Sequence, residues 1–285
     1  YITGSNAKML SSEIATTLGG RYMIQEVYPY SFAEYLNANG LDLKKQNALI
    51  KNGKQIARLA ELYFRNGGLP ETALMKNSRP WLSSLYNKIF FGDLVTRYAI
   101  RNDFALKVLI RKLAESVKQP LSYNRLASIV SSTGKKISTD TVIDYLAYMK
   151  DSWLTLPFEN FMGKKYYFID NGLLALFLID PDTSLLENIV AINLRRTHGS
   201  DCYFFNTPNA EVDFYLPLEG AAFQVSYSLR DAETRKREVD GLVSLAKFQK
   251  LRRLAIITKD EEETIERDGL TIEVVPLWKW LCSVG

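Results

Sequence analysis

The chain has 285 residues, 47% of them hydrophobic and 24% charged, with a formal net charge of +4. That length suits two or three domains. No window approaches about 18 uninterrupted apolar residues, which excludes a membrane span. Two cysteines and a single histidine, His198, exclude a disulfide framework, a multi-cysteine zinc site and any pair of catalytic histidines.

The chain opens on Tyr1, and residues 1–5 read as a strand running into a turn, so the expectation is the C-terminal piece of a longer protein. Residues 8–18 have helical spacing, broken by Gly19-Gly20-Arg21, and Tyr22 to Val27 alternates like a short strand. Ser31 is placed to cap a helix beginning at Phe32, with Glu34 in its first turn. A helix over 53–66 is closed by Gly67-Gly68-Leu69-Pro70. Apolar residues at helical spacing predict two long helices over 81–118.

A short helix from Tyr123 to Val130, a polar turn holding Gly134, and a helix over Asp140 to Met149 capped by Ser138 or Thr139 make a helix-turn-helix. Two β-rich runs follow, Trp153 to Leu156 and Tyr166 to Ile169, separated by a loop with Gly163-Lys164-Lys165. Helix-turn-helix plus hairpin predicts a winged helix. From Ser184 the pattern is α/β: a helix over Leu185 to Arg196 and strands at Tyr203 to Phe205, Glu211 to Leu216 and Ala222 to Tyr227. A helix over Ala232 to Phe248 and strands at Leu254 to Thr258 and Thr271 to Val275 complete it. Lys259 to Glu263 reads as an exposed loop or helix start. The expected domains are 1–78, 79–180 and 181–285, carrying net charges of +3, +5 and −4. Their asymmetry suggests separate modules.

Glu187, Glu211, Asp213 and Gln224 are the first candidate constellation, with Glu187, Asp213 and Gln224 as its catalytic residues. Carboxylates on a hairpin backed by a helical glutamate can hold Mg²⁺ through Asp213 and Glu187, and such an ion can activate water at a phosphate. The lysine that would complete a nuclease geometry is absent two residues after Gln224, where Ser226 stands, so Lys236 is a candidate replacement. Thr3-Gly4-Ser5-Asn6 could place Ser5 or Asn6 beside a nucleotide phosphate. Lys135 and Lys136 in the helix-turn-helix turn, with Lys164 and Lys165 at the wing tip, could meet DNA phosphates. Gly134-Lys135-Lys136 is not a P-loop: Ile129 stands at the upstream glycine position and Lys136 where Ser or Thr is needed. Cys202 and Cys282 read as packing residues in a reducing, cytoplasmic setting, and His198 as a surface residue at a helix end.

Thr3 to Ala7, Leu18 to Arg21 and Pro29 to Tyr35 resemble the end of a prokaryotic AAA-type ATPase core. Gly67 to Glu71, Ser138 to Leu146, Lys165 to Leu173, Glu187-Asn188 and Glu211 to Phe214 resemble the region that follows that core, domain of unknown function 4143. The resemblance implies an α/β-plus-α architecture: the end of an AAA-type core, a helical winged-helix middle and a PD-(D/E)XK nuclease-like α/β domain. It also implies a phosphate-sensing role for Ser5 or Asn6 and a nucleotide-facing or interface role for Arg21. ATP and Mg²⁺ would be bound only with an N-terminal core. Gln224-Val225-Ser226 stands where the nuclease motif has Glu-Val-Lys. Three functions follow as expectations: an ATPase-governed module that binds DNA, a Mg²⁺-dependent nuclease, or a module binding a cognate protein, with a homo-oligomer allowed.

Overall fold

Ser31 starts the first helix as the sequence predicts. Its hydroxyl accepts the Glu34 N–H and the Glu34 carboxylate accepts the Ser31 N–H, a capping box that seats Phe32, Tyr35 and Leu36 of α1 (Phe32–Ala38) in the core. The computed structural model describes residues 23, 25–44, 48–134, 136–160, 163–207 and 210–284. Ser5, Asn6, Arg21 and Lys135 lie outside the described residues, as do the expected elements over 1–18. The described part of the expected 22–27 strand is irregular chain.

Helix α2 (Ala48–Asn66) ends at Gly67, whose φ of +81° suits a residue without a side chain. Gly68 then lies so close to Tyr30 that an added Cβ would fall 2.5 Å from the Tyr30 carbonyl oxygen. Helix α3 (Arg79–Lys88) runs into a π-helical stretch, Ile89–Thr96, before α4 (Asp103–Glu115), so the two long helices expected over 81–118 are interrupted. The helix-turn-helix pair is α5 (Tyr123–Ser131) and α6 (Thr139–Asp151), and Ser138 caps α6 through the Thr141 N–H.

Strands β1 (Thr155–Asn160) and β2 (Gly163–Phe168) form the expected hairpin, but β2 begins at Gly163 and takes in both Lys164 and Lys165. Helices α7 (Asn171–Leu174) and α8 (Asp182–His198) follow, then β3 (Tyr203–Thr207), β4 (Ala210–Leu216), β5 (Ala221–Val225), α9 (Ala232–Ala246) and β6 (Arg253–Thr258). The chain closes with β7 (Glu263–Arg267), β8 (Leu270–Pro276) and α10 (Leu277–Ser283). The acidic run Lys259 to Glu263 thus leads into a strand. The sequence reading missed β7 because its side chains are mostly charged and exposed.

The described residues make a mixed α/β structure with ten α-helices and one eight-stranded sheet, ordered β2-β1-β3-β4-β5-β6-β8-β7. Strands β3, β4 and β5 are antiparallel neighbours, and β6 joins β5 in parallel. The hairpin is no free-standing wing. Through the Glu159↔Tyr203 pair β1 adds in parallel to β3, so the sheet crosses the 180/181 boundary expected from composition. One large hydrophobic core packs the helices against the hairpin and strands, and a smaller one lies under α9. Among the described residues no helix is long and apolar enough to cross a membrane.

Gly68→Ala should cost about 1–3 kcal/mol, the scale of forcing an extra methyl into a packed site. Urea unfolding should show this as a lower midpoint at unchanged slope.

Candidate functional site

The site begins with helix α8, buried over Ser184 to Leu194. An ionisable Glu187 inside such a run needs a partner, because an unpaired buried charge is costly. It finds two on β2. Alternation along the strand sets Lys165 and Tyr167 two residues apart on one face, and both reach Glu187. Lys165 Nζ lies 3.2 Å from Glu187 Oε1, and the Tyr167 hydroxyl donates to the same oxygen at 2.7 Å. Lys165 Nζ also donates to Asp213 Oδ1 at 3.2 Å and lies 4.0 Å from Glu211 Oε1 and 5.5 Å from the centre of the Phe204 ring. The lysine is 0% exposed.

Asp213 and Gln224 face each other where β4 and β5 part. The ladder runs only from Leu216↔Ala221 to Phe214↔Phe223. Beyond it, side chains stand in for backbone. Gln224 Oε1 accepts the Asp213 N–H at 2.9 Å, Gln224 Nε2 donates to the Glu211 carbonyl at 2.8 Å, and Asp213 Oδ2 accepts the Val225 N–H at 3.0 Å. A glutamate at 224 could not donate. Glutamine there is a clip that both gives and takes a hydrogen bond. Gly241 of α9 allows this packing: a Cβ would fall 2.4 Å from the Glu211 carbonyl oxygen and 2.7 Å from Gln224 Nε2.

The electrostatics follow from burial. Desolvation and the Asp213 charge push Glu187 up to about 8, against the pull of Lys165 and Tyr167. Burial would lower the Lys165 ammonium, but Glu187, Asp213 and Glu211 hold it above its ordinary range. Burial and the Asp213 charge push Glu238 of α9 up to about 7, and Arg237 pairs with its carboxylate at 2.7 Å.

The structure places Glu187 and Asp213 on one ammonium and Asp213 beside Gln224. Lys165, expected at a DNA-facing wing tip, is the buried partner of both acids. Lys236 is exposed on α9. Lys164 is on the surface, paired with Glu159 at 2.5 Å, and Lys136 is exposed. His198 faces Glu219 at 3.1 Å. The sequence signal for Lys165 was its spacing from Tyr167, legible once β2 is extended by one turn of the pleat.

As arranged, the residues do not fit Mg²⁺, which takes oxygen ligands at about 2.0–2.1 Å and keeps several waters. Glu187 Oε1 and Asp213 Oδ1 hold the ammonium, Asp213 Oδ2 holds a backbone amide, and the Gln224 oxygen is spent on the clip. Among the described residues no group of three or more His, Cys, Asp or Glu is placed to hold a metal ion.

Uncharacterized protein MJ1544 of Methanocaldococcus jannaschii is 32% identical to this chain, over 98% of the chain and 68% of the relative's length. The chain belongs to that protein's family. An uncharacterized protein of Haemophilus influenzae is 28% identical over 98% of the chain and 70% of its own length. Residues 1–36 match the model of an AAA domain, giving an AAA-like relationship over that segment. Residues 57–183 match a domain of unknown function, DUF8612, in place of the 4143 domain that the motifs suggested. No solved structure matches the chain.

Two measurements check the site. Gln224→Glu removes the donor to the Glu211 carbonyl and should cost about 1–3 kcal/mol in chemical unfolding. Glu187→Gln preserves the acceptor for Lys165 and Tyr167 while removing the titration. An acid whose native pKa is raised stabilises the fold below its unfolded value and loses that contribution as pH rises. Wild-type stability should therefore fall relative to Glu187→Gln between pH 5 and 8, read from paired melting curves.

Proposed function

We propose that this chain is the effector portion of an AAA-type ATP-binding protein, and that its α/β unit holds a partner without cutting it. The observation carrying this reading is a clasp between the AAA-matching segment and the helix that bears Glu187. Arg196 of α8 donates to the Pro29 carbonyl and lies 3.4 Å from the Glu34 carboxylate. The Tyr30 N–H donates to the Gly68 carbonyl at 2.7 Å, and the Gly68 N–H to Asp170, which caps α7 two residues after β2. The Tyr28 ring meets Trp153 edge-on at 5.5 Å. Movement at the AAA-like end is thereby delivered to α8, which supplies Glu187, and to the end of the hairpin strand that supplies Lys165. ATP and its Mg²⁺ would belong to a P-loop that these residues do not supply, with Ser5, Asn6 and Arg21 on its sensing side.

A nuclease-like unit is supported by the helix, three antiparallel strands, helix and parallel strand from α8 to β6. Cleavage is disfavoured by the sealed Lys165 cluster. Duplex DNA is also the weaker partner, since Lys165 is buried and Lys164 is paired. The helical middle exposes Phe91, Phe104 and Ile143, which favours a cognate protein. The nuclease reading keeps one supporting observation, the meeting of Lys165 with Glu187 and Asp213.

In a full-length family member carrying a P-loop, ATP in place of ADP should change amide exchange along 187–196, and Arg196→Ala should abolish the difference. Identical exchange in both nucleotide states would sink the coupling. Duplex binding that weakens steeply between about 50 and 200 mM salt would establish DNA as the partner instead. Mg²⁺- or Mn²⁺-dependent plasmid nicking lost in Asp213→Ala would establish the nuclease.

A further inference from the structure

We infer that Lys165 is a resident cation: its tethered ammonium occupies the place of a divalent ion among Glu187, Asp213 and Glu211, so the wild-type cluster takes no such ion and a variant without the ammonium acquires a site for one. This deepens the reading of the α/β unit as one that does not cut.

The geometry supplies the argument. Three acid side chains from two elements converge on one nitrogen, Glu187 from α8 and Asp213 and Glu211 from β4, at 3.2, 3.2 and 4.0 Å. Tyr167 fixes the Glu187 oxygen that faces the nitrogen, and the Val225 N–H fixes the second Asp213 oxygen, leaving Asp213 Oδ1 on the nitrogen. The ammonium is itself held from behind by the Phe204 ring. Glu211 is half-exposed and Asp213 slightly so, while the ammonium between them is fully buried. Removing the ammonium while keeping the acids leaves oxygen donors that a hard divalent cation can use. Lys236 is exposed, and Arg237, although its charge is felt by Glu211 and Asp213, hydrogen-bonds Glu238 and not these acids.

The test uses Mn²⁺ alone as the probe, titrated into the whole chain and followed by electron paramagnetic resonance and melting curves. Wild type should show no saturable site that Asp213→Asn removes. Lys165→Ser should bind one Mn²⁺ per chain roughly tenfold or more tightly than wild type, on the scale by which neighbouring groups tune metal affinity. Adding Asp213→Asn to Lys165→Ser should abolish that binding. Mn²⁺ should raise the melting temperature of Lys165→Ser alone, because a ligand bound only by the native state stabilises it. A wild-type Mn²⁺ site lost in Asp213→Asn overturns the inference. So does a Lys165→Ser chain that binds no Mn²⁺, whether folded or still unfolded with the ion present. Failure of nucleotide coupling or partner binding, with wild type silent to Mn²⁺, would sink the proposed function and leave this inference standing.

Discussion

A buried ammonium among carboxylates organises this molecule. Lys165 sits on an outer strand, 22 residues before Glu187 and 48 before Asp213. A charge without water must be paired nearly perfectly, so these contacts fix where the hairpin, α8 and the β4–β5 junction stand relative to one another. Backbone pairing alone would not do this, because β1 meets β3 through a single residue pair. Aromatic packing closes the same seam: the Phe158 and Tyr167 rings each lie 5.7 Å from Phe214 of β4.

A second buried polar chain runs beside the first. Asn188, next to Glu187, both accepts from the Phe168 N–H and donates to the Phe168 carbonyl and the Asn171 side chain. Asn171 donates to the carbonyls of Phe64 at the end of α2 and Leu185 of α8. Asp170 accepts from the amides of Gly68, Gly172 and Leu173, and burial pushes its carboxyl up to about 6 despite those donors. Fully satisfied networks of this kind define one arrangement and penalise every other. They explain why the Gly67-Gly68 and Asp170-Asn171-Gly172 motifs, distant in sequence, stand together in space.

Local chemistry was legible in the sequence, and assembly was not. The caps at Ser31 and Ser138, the glycine stop after α2 and the α/β succession after Ser184 all depend on neighbours within a few residues, and they are where the pattern put them. The meeting of Glu187, Asp213 and Gln224 was also readable from a helix followed by a hairpin. What escaped was non-local. A Gly-Lys-Lys stretch looks like a solvated loop, since lysine is rarely buried, and only the facing acids reveal that Lys165 is inside. The same stretch made the hairpin look like a wing, because no local pattern announces that β1 will add to β3. Gln224 looked like a weakened acid, and its use as both donor and acceptor emerges only when β4 and β5 are seen to part.

The clip at Gln224 also bears on the order of folding. Its partners, Glu211 and Asp213, lie within 13 residues along the chain, so the loop to be closed is short and its entropic cost small. The Lys165 contacts close far longer loops and belong to the slower, non-local part of assembly. The β4–β5 junction can therefore be complete while its acids are still hydrated, and the arrival of the hairpin is the step that expels that water.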